Sequence, residues 1–380
     1  MHAIPLIESP AAVDAIVDRL RADGVAAVDT EFVWTRTYFP RLGVVQLGAA
    51  DGTAWVVAAE AAGASLGELL ADPATVKILH DARQDLALLS RVTGAGPRNV
   101  FDTQLAAGFA GLSSVISLKQ LLHELLGIDL PKTETRTDWC KRPLSSAQLD
   151  YAANDVKHGA AMRQALLERI AAQGTSDWLA EDMRVYDDDA LYAWPEPAEA
   201  WRRIKGTDRL PPAGVELLMR LAARRERLAI DWDLPRGWVV DDATLLEIAQ
   251  ARRKPGEGQV LRHRLDRPRL AVLKQELAAV MLERAEPAPH RPAVRPVLTP
   301  VRRRQLDDAL TFLRQRAQAL GIAPELYGSR AQVAAFMDHP GNTANPLATG
   351  WRHETAGREL AAQWKSDAPP DLFTAATGAH

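Results

Sequence analysis

Apolar residues recur at helical spacing over 11–22 (Val13, Ile16, Val17, Leu20), which predicts an amphipathic helix that Gly24 stops. Residues 25–33 follow as Val-Ala-Ala-Val-Asp-Thr-Glu-Phe-Val and read as a strand. Two short apolar runs, 43–49 and 53–58, flank Asp51-Gly52, a hairpin turn signal. Residues 76–80 read as a further buried strand, followed by helices over 82–92, 103–110 and 117–127. One long helix is predicted over 145–172, opened by Ser145 and Gln148 at capping-box spacing. A three-strand meander that passes into βα units predicts a mixed sheet with helices on both faces.

The rest of the chain carries helical periodicity only, over 212–230, 241–252, 268–284, 301–320, 329–338 and 354–365. Segments 234–248 and 322–336 share a faint pattern, a Pro followed by apolar residues and a helix start, which reads as a weak repeat of small helical bundles. Two stretches look like spacers. Residues 186–200 contain an Asp run, Pro195 and Pro197, and residues 286–300 contain Pro287, Pro289, Pro292, Pro296 and Pro300. Proline at that density stiffens a chain and prevents regular helix. Boundaries are therefore expected near 190 and 292.

Charge changes the picture by its distribution. The whole chain is at −3, but the first 190 residues hold about 17 Lys/Arg against about 26 Asp/Glu, and the remainder is net basic. An acidic front half suits metal-binding carboxylates and a basic back half suits phosphates, although such imbalance often sets only solubility. The single cysteine, Cys140, excludes an internal disulfide and a cysteine zinc cluster, and points to a reducing, cytoplasmic compartment. Met1 to Val13 lacks a basic segment followed by an apolar one, so no signal peptide is expected. No apolar run is long enough to span a bilayer, and no membrane partner is expected.

Three groups of residues carry candidate chemistry. Asp29 and Glu31 are two apart on a strand and share one face, about 7 Å apart by the strand rise. Two acids at the end of a buried strand need a compensating charge, and a divalent cation supplies one. As an isolated pair they also read as a solvated surface turn. Asp81 and Asp85 flank a helix start, where Asp81 can cap and Asp85 lies one turn in. Either could equally be a solvated helix face. Tyr151 and Asp155 are four apart on a helix and share a face, beside the apolar stripe Leu149, Ala153, Val156, Ala160 and Leu167. A tyrosine hydroxyl there can orient a metal-bound water or help remove its proton, or it can be an ordinary residue at the core edge.

Together and in this order, Asp29-x-Glu31, Asp85 and Tyr151-x3-Asp155 resemble the three motifs of the DEDD exonuclease superfamily, in its tyrosine-bearing branch. The run from Asp29 to Leu47, then Lys132 to Trp139 with Arg142-Pro143-Leu144, resembles the ribonuclease D family within it. Leu221, Arg225, Ala229, Pro235, Val239, Asp241, Leu245 and Ala249 are similar to the helicase-and-RNase-D C-terminal (HRDC) pattern. The resemblance is densest over 20–160 and sparser over 200–285. Beyond 300 it rests mostly on position.

The resemblance implies an α/β ribonuclease H-like exonuclease domain over 1–190, a mixed sheet flanked by helices. Two small all-α HRDC-type domains would follow, over 198–286 and, divergently, 298–375. It implies two divalent metal ions, Mg²⁺ or Mn²⁺. Asp29, Glu31 and Asp155 would hold one, Asp29 and Asp85 the other, and Tyr151 would position the water. The implied reaction removes 5′-mononucleotides from the 3′ end of RNA, such as tRNA precursors and other small structured RNAs. Phe32, Gln46, His80, Lys132, Arg136 and Trp139 are candidate substrate contacts by the same resemblance. Phe32 also reads as core, and His80 as a satisfied buried histidine. The clusters around Arg224, Arg252, Arg262 and Arg302 are candidates to track the RNA backbone, or are solvated helix faces. A monomer without a nucleotide cofactor is expected. The carboxylates alone also fit a DNA-directed exonuclease. An inactive RNA-binding module or a helical scaffold would not need all four acids and the tyrosine.

Overall fold

The computed structural model describes residues 4–130, 137–251, 265–282 and 299–366. The catalytic half runs β1 (Leu6–Ile7), α1 (Pro10–Asp23), β2 (Val25–Val33), β3 (Arg41–Gly48), β4 (Ala54–Ala58), α2 (Ala64–Ala71), β5 (Val76–Leu79), α3 (Arg83–Thr93) and β6 (Val100–Asp102). It continues through α4 (Thr103–Phe109), α5 (Leu118–Leu126), α6 (Ser146–Lys157), α7 (Gly159–Gln173) and α8 (Ser176–Met183). The six strands form one sheet in the order β1-β4-β3-β2-β5-β6. The β2-β3-β4 meander is antiparallel, and β1, β5 and β6 join it in parallel. This is the mixed sheet that the pattern predicts.

Pleating sends alternate residues of β2 to opposite faces. Ala26 and Val28 pack with Val17 and Leu20 of α1 and with Leu86 and Leu89 of α3. Ala27 packs with Val156 and Met162 of α6 and α7. Gly24, at φ +68°, ends α1 in the left-handed conformation, as its position predicts. The sequence pattern misses β1 and β6, because two or three strand residues carry no periodicity to detect, and it passes over the short helix α2 as well.

The long helix expected over 145–172 is two helices, broken at His158 (φ −105°, ψ 6°). Its two halves cover different parts of the sheet: α6 lies on β3, β4 and β2, and α7 on β2 and β5. The sheet twists between them, and one straight rod cannot follow both. Gly159 opens α7 so close to β2 that a Cβ there would come 2.6 Å from the Cβ of Ala27.

Residues 186–200 are not a spacer. They form short 3₁₀ turns over Arg184–Asp187, Asp189–Tyr192 and Pro197–Arg203. Tyr186 and Tyr192 are buried with α1 and α3, while Trp194 and Trp201 pack into the next unit. Burial of four aromatic rings outweighs the stiffening effect of two prolines. The proline-dense spacer expected near 292 lies outside the described residues.

Helices α9 (Pro212–Asp231), α10 (Arg236–Val239), α11 (Asp242–Ala251) and α12 (Arg267–Leu282) enclose one core that includes Leu218, Leu221, Val239, Leu245 and Leu273. The last segment holds α13 (Pro300–Leu320), α14 (Arg330–Asp338), α15 (Gly350–Arg352), a π-helical turn at His353–Gly357, and α16 (Arg358–Ser366). Its core is continuous with that of the first, α/β half. Trp351 stacks on Trp178 at 5.2 Å and meets Phe109 edge-on at 5.5 Å, and Arg352 grips Asp182 with two hydrogen bonds of 2.6 Å. No helix among the described residues is long and apolar enough to cross a membrane.

Candidate active site

The apolar start of β2, Val25 to Val28, anchors the strand, and its far end presents Asp29 and Glu31 on one face. In the ladder with β3, Gln46 stands opposite Asp29 and Val44 opposite Glu31. Across this face lies α6. Ser145 and Gln148 form the capping box that the sequence predicts at its start. Ala152, Ala153 and Val156 bury its inner face. A Cβ on Gly48 would meet the carbonyl oxygen of Val156 at 2.6 Å, so only glycine lets the end of α6 come this close. That approach delivers Asp155 to β2. One oxygen from each of Asp29, Glu31 and Asp155 lies within 4.8 Å of the others.

Asp85 arrives from the first turn of α3, on the other side of β2. The hydroxyl of Thr30, the residue between the two strand acids, donates to its carboxylate. Asp85 adds its charge to the field at both Asp29 and Glu31, although it is outside the tight trio. Tyr151, one turn before Asp155, leans on the carboxylate of Asp155, and its ring lies 6.0 Å from Trp139. The structure thus gathers all four acids and the tyrosine singled out in the sequence.

Burial raises the pKa of every member. Asp29 is pushed well above the usual carboxylate range by desolvation, then by Asp85, Asp155 and Glu31. Glu31 rises to about 8 through burial and the charges of Asp155 and Asp85. Asp155 rises to about 7 and Asp85 to about 6, both chiefly through burial. Among the described residues, no Lys or Arg charge figures among the causes of these shifts. Four carboxylates gathered in this way repel one another, which a bound divalent cation would correct. All-oxygen donors suit a hard ion such as Mg²⁺ or Mn²⁺. Gln46 adds to the fit. It is fully buried beside Asp29, yet neither atom of its amide hydrogen-bonds to protein. A buried amide is costly unless it finds a partner, and a group bound at the neighbouring carboxylates would supply one.

The remaining predicted contacts fare differently. Phe32 is half-buried and belongs to none of the apolar clusters. A bulge between Glu31 and Phe32 sets it opposite Leu42. Trp139 corrects the expectation of an RNA contact. It is 3% exposed and packs with Val44, Val56 and Ala152 under α6, so it holds the helix. His80 is half-buried beside Asp29 and Asp155, and both of its ring nitrogens have partners. Nε2 lies 3.1 Å from the carbonyl of Ile116 and Nδ1 lies 2.9 Å from the hydroxyl of Thr103. The carbonyl only accepts, so Nε2 carries the hydrogen, while the Thr103 hydroxyl beside Nδ1 also reaches the carbonyl of Leu79 at 3.1 Å. Burial holds its pKa below the usual value, in keeping with a neutral ring. Lys132 and Arg136 lie outside the described residues.

Asp81 does not cap α3. It sits in a left-handed turn (φ 57°), and the side chain of Asp102 accepts from its N–H and from that of Ala82. Asp102 also caps α4 and accepts from the hydroxyl of Tyr186 at 2.6 Å. Sequence reasoning passed over Asp102 and Thr30. The signal for Asp102 was an acid directly before a helix start, and Thr30 had only its place between two acids. The basic clusters are partly internal. Arg225 is 1% exposed and pairs with Asp242, Arg224 pairs with Glu276, and Arg302 pairs with Asp338. Arg252 and Arg262 lie outside the described residues. A wider cleft, about 530 Å³, opens between the catalytic half and the last helical segment, but Asp81, Glu181, Asp182 and Glu325 line it, a poor match to a polyanion.

A family model described as 3′-5′ exonuclease matches residues 5–171. Fold and acids together define a metal-dependent 3′-5′ exonuclease. Ribonuclease D of Desulfotalea psychrophila is 36% identical over 345 residues, covering 88% of this chain and 91% of that one. Ribonuclease D of Acidiphilium cryptum is 41% identical over 67% of this chain and 64% of its own. The crystal structure of Escherichia coli RNase D, described as an exoribonuclease involved in structured RNA processing, matches with a TM-score of 0.84 at 27% identity. The match covers 97% of this chain and 100% of that one. The chain belongs to the ribonuclease D family and is an exoribonuclease of this class.

Proposed function

We propose that this enzyme trims RNA from a free 3′ end one nucleotide at a time, releasing 5′-mononucleotides, with tRNA precursors and other small structured RNAs as substrates. The observation that carries this reading is the convergence of Asp29, Glu31 and Asp155 within 4.8 Å, beside Asp85 and Tyr151. Asp29, Glu31 and Asp155 would hold one Mg²⁺ or Mn²⁺ ion, and Asp29 with Asp85 the other. Bound there, the pair supplies Lewis-acid stabilisation and an activated water for in-line displacement at phosphorus. The protein's own residues do the positioning. Thr30 fixes the rotamer of Asp85. Tyr151, on the same helix face as Asp155, orients the attacking water. Gln46, buried beside Asp29, would complete the surroundings of the bound ions, and Phe32 would stack on the terminal base.

The helical segments 198–286 and 298–375 would be HRDC-type units that hold the body of a structured RNA, and a cytoplasmic monomer completes the reading. The test is timed digestion of 5′-labelled, 3′-tailed tRNA-like RNA in Mg²⁺, Mn²⁺ or EDTA, beside DNA of the same sequence. Metal-dependent stepwise shortening that is faster on RNA supports the proposal. Equal or faster loss of DNA redirects it to a DNA exonuclease. A tight RNA gel shift without shortening redirects it to a binding module.

A further inference from the structure

Directly beyond the acidic end of β2 the chain turns through residues 34–39, and this loop has two unusual properties. The first is an exposed aromatic ring. Trp34 is 47% exposed, the one aromatic among the large exposed hydrophobic residues of the described chain. A tryptophan in water loses the benefit of burial unless something covers it. Its neighbour Arg36 is exposed and makes no hydrogen bond or ion pair among the described residues.

The second property is that the loop is held rigidly. The indole Nε1 of Trp34 donates to the carbonyl of Tyr38 at 3.0 Å, which fixes the plane of the exposed ring. Tyr38 is in turn fastened to the α9 unit. Its hydroxyl donates to the buried carboxylate of Glu226 at 2.6 Å, and its N–H donates to Asp233 at 3.0 Å. Arg203 and Arg236 flank the same carboxylate at 3.6 and 3.4 Å, which holds Glu226 in place as the acceptor for Tyr38. Phe39 packs beneath, edge-on to Trp194 at 4.9 Å, with the guanidinium of Arg91 over its other side at 3.4 Å. An ordinary surface loop has no need of such fastening. A ring that must meet a ligand at a set angle does, because a rigid platform loses less entropy on binding.

Trp34 follows Glu31 by three residues, about 10 Å along an extended chain. That places the ring within a few nucleotides of the phosphodiester that the carboxylates would cleave. We propose that Trp34 is a stacking platform for an unpaired base of the RNA 3′ tail, with Arg36 beside it for the backbone phosphate. Tyr38 acts on it as a positioning residue, through its bonds to Glu226 and Asp233. Base stacking is indifferent to sequence, since every base has a π face, and so suits an enzyme that steps through any tail. The proposal rests on the reading of the substrate as RNA with a free 3′ end.

The experiment measures binding of a 5′-labelled single-stranded RNA in EDTA, and shortening of the same RNA in Mg²⁺. Trp34→Ala is expected to weaken binding about fivefold to a hundredfold, and Trp34→Phe to restore most of it. An abasic site walked along the 3′ tail gives a readout that needs no variant. At one position it should weaken binding to the unaltered enzyme, and the same abasic site should cost Trp34→Ala nothing further. Tyr38→Phe should shrink the abasic penalty at that position. If the unaltered enzyme binds and shortens RNA while Trp34→Ala binds equally well, or no abasic position is silent in Trp34→Ala, the platform is overturned alone. If the unaltered enzyme neither binds nor shortens RNA, the substrate reading falls and the platform with it.

Discussion

The carbonyl oxygen of Val156 occupies the space into which a side chain on Gly48 would grow, at 2.6 Å from the position of its Cβ. The obstacle is helix backbone, which cannot swing aside. Gly48→Ala should therefore push the end of α6, and Asp155 with it, away from Asp29. Overpacking of this kind costs about 1–3 kcal/mol. A misplacement approaching 1 Å costs about a hundredfold in rate. Denaturant melts and steady-state digestion check this together. A variant with unaltered kcat shows that the contact does not position Asp155.

Thr30→Val removes the hydroxyl that fixes Asp85 and keeps the side chain's volume. A hydrogen bond to a charged group contributes about 1.5–3 kcal/mol. We expect kcat to fall tenfold or more, with Thr30→Ser near the unaltered enzyme. Equal rates for Thr30→Val and Thr30→Ser contradict a positioning role for the hydroxyl.

The double substitution Asp29→Asn with Asp155→Asn should abolish shortening and leave RNA affinity largely intact. It also removes two of the mutually repelling charges, so the metal-free protein should melt at a higher temperature than the unaltered one. An equal loss of affinity and of melting temperature indicates a structural role for these acids instead.

Stability should depend on pH in a direction set by the same acids. Asp29, Glu31, Asp85 and Asp155 all titrate above their ordinary range, so the folded protein keeps protons that the unfolded chain has released. The stability they contribute is full below the ordinary carboxylate range, about pH 4, and is lost as pH rises through about 6 to about 8. In EDTA, the melting temperature should fall across pH 5 to 8, and Asp29→Asn should flatten the slope. Added Mg²⁺ should raise it most at the alkaline end, where protons compete least for the carboxylates. Identical slopes in EDTA for both proteins contradict the assignment.

Much of the catalytic half was legible because its signals are local. Strand β2 starts and ends where the pattern predicts, since four apolar residues precede two acids at a spacing of two. The capping box at Ser145 is a short-range chemical code and held. What stayed hidden depends on contacts between distant segments. The break at His158 follows from sheet twist and from Ala27, far off in sequence. The Pro-rich stretch 186–200 reads as a spacer until Tyr186 is seen donating to Asp102. Trp139 looked like a ligand contact because it sits in a family motif, yet the motif there preserves packing under α6. Asp29, Glu31, Asp85, Tyr151 and Asp155 stand out in the sequence only by an order and spacing that resemble the DEDD motifs, whereas Thr30 needed the fold to show which acid it faces.

The stacking of Trp351 on Trp178, with Arg352 clamped to Asp182, makes the last helical segment a wall of the catalytic half's own interior. The α9 unit has its own enclosed core and meets the catalytic half largely through Tyr38, Phe39 and Trp194. The two appendages therefore have different thermodynamic standing. The α9 unit can open as a separate cooperative block. The C-terminal segment is expected to melt with the nuclease it adjoins, because a chain shortened at residue 298 would strip Phe109 and Trp178 of their contact with Trp351.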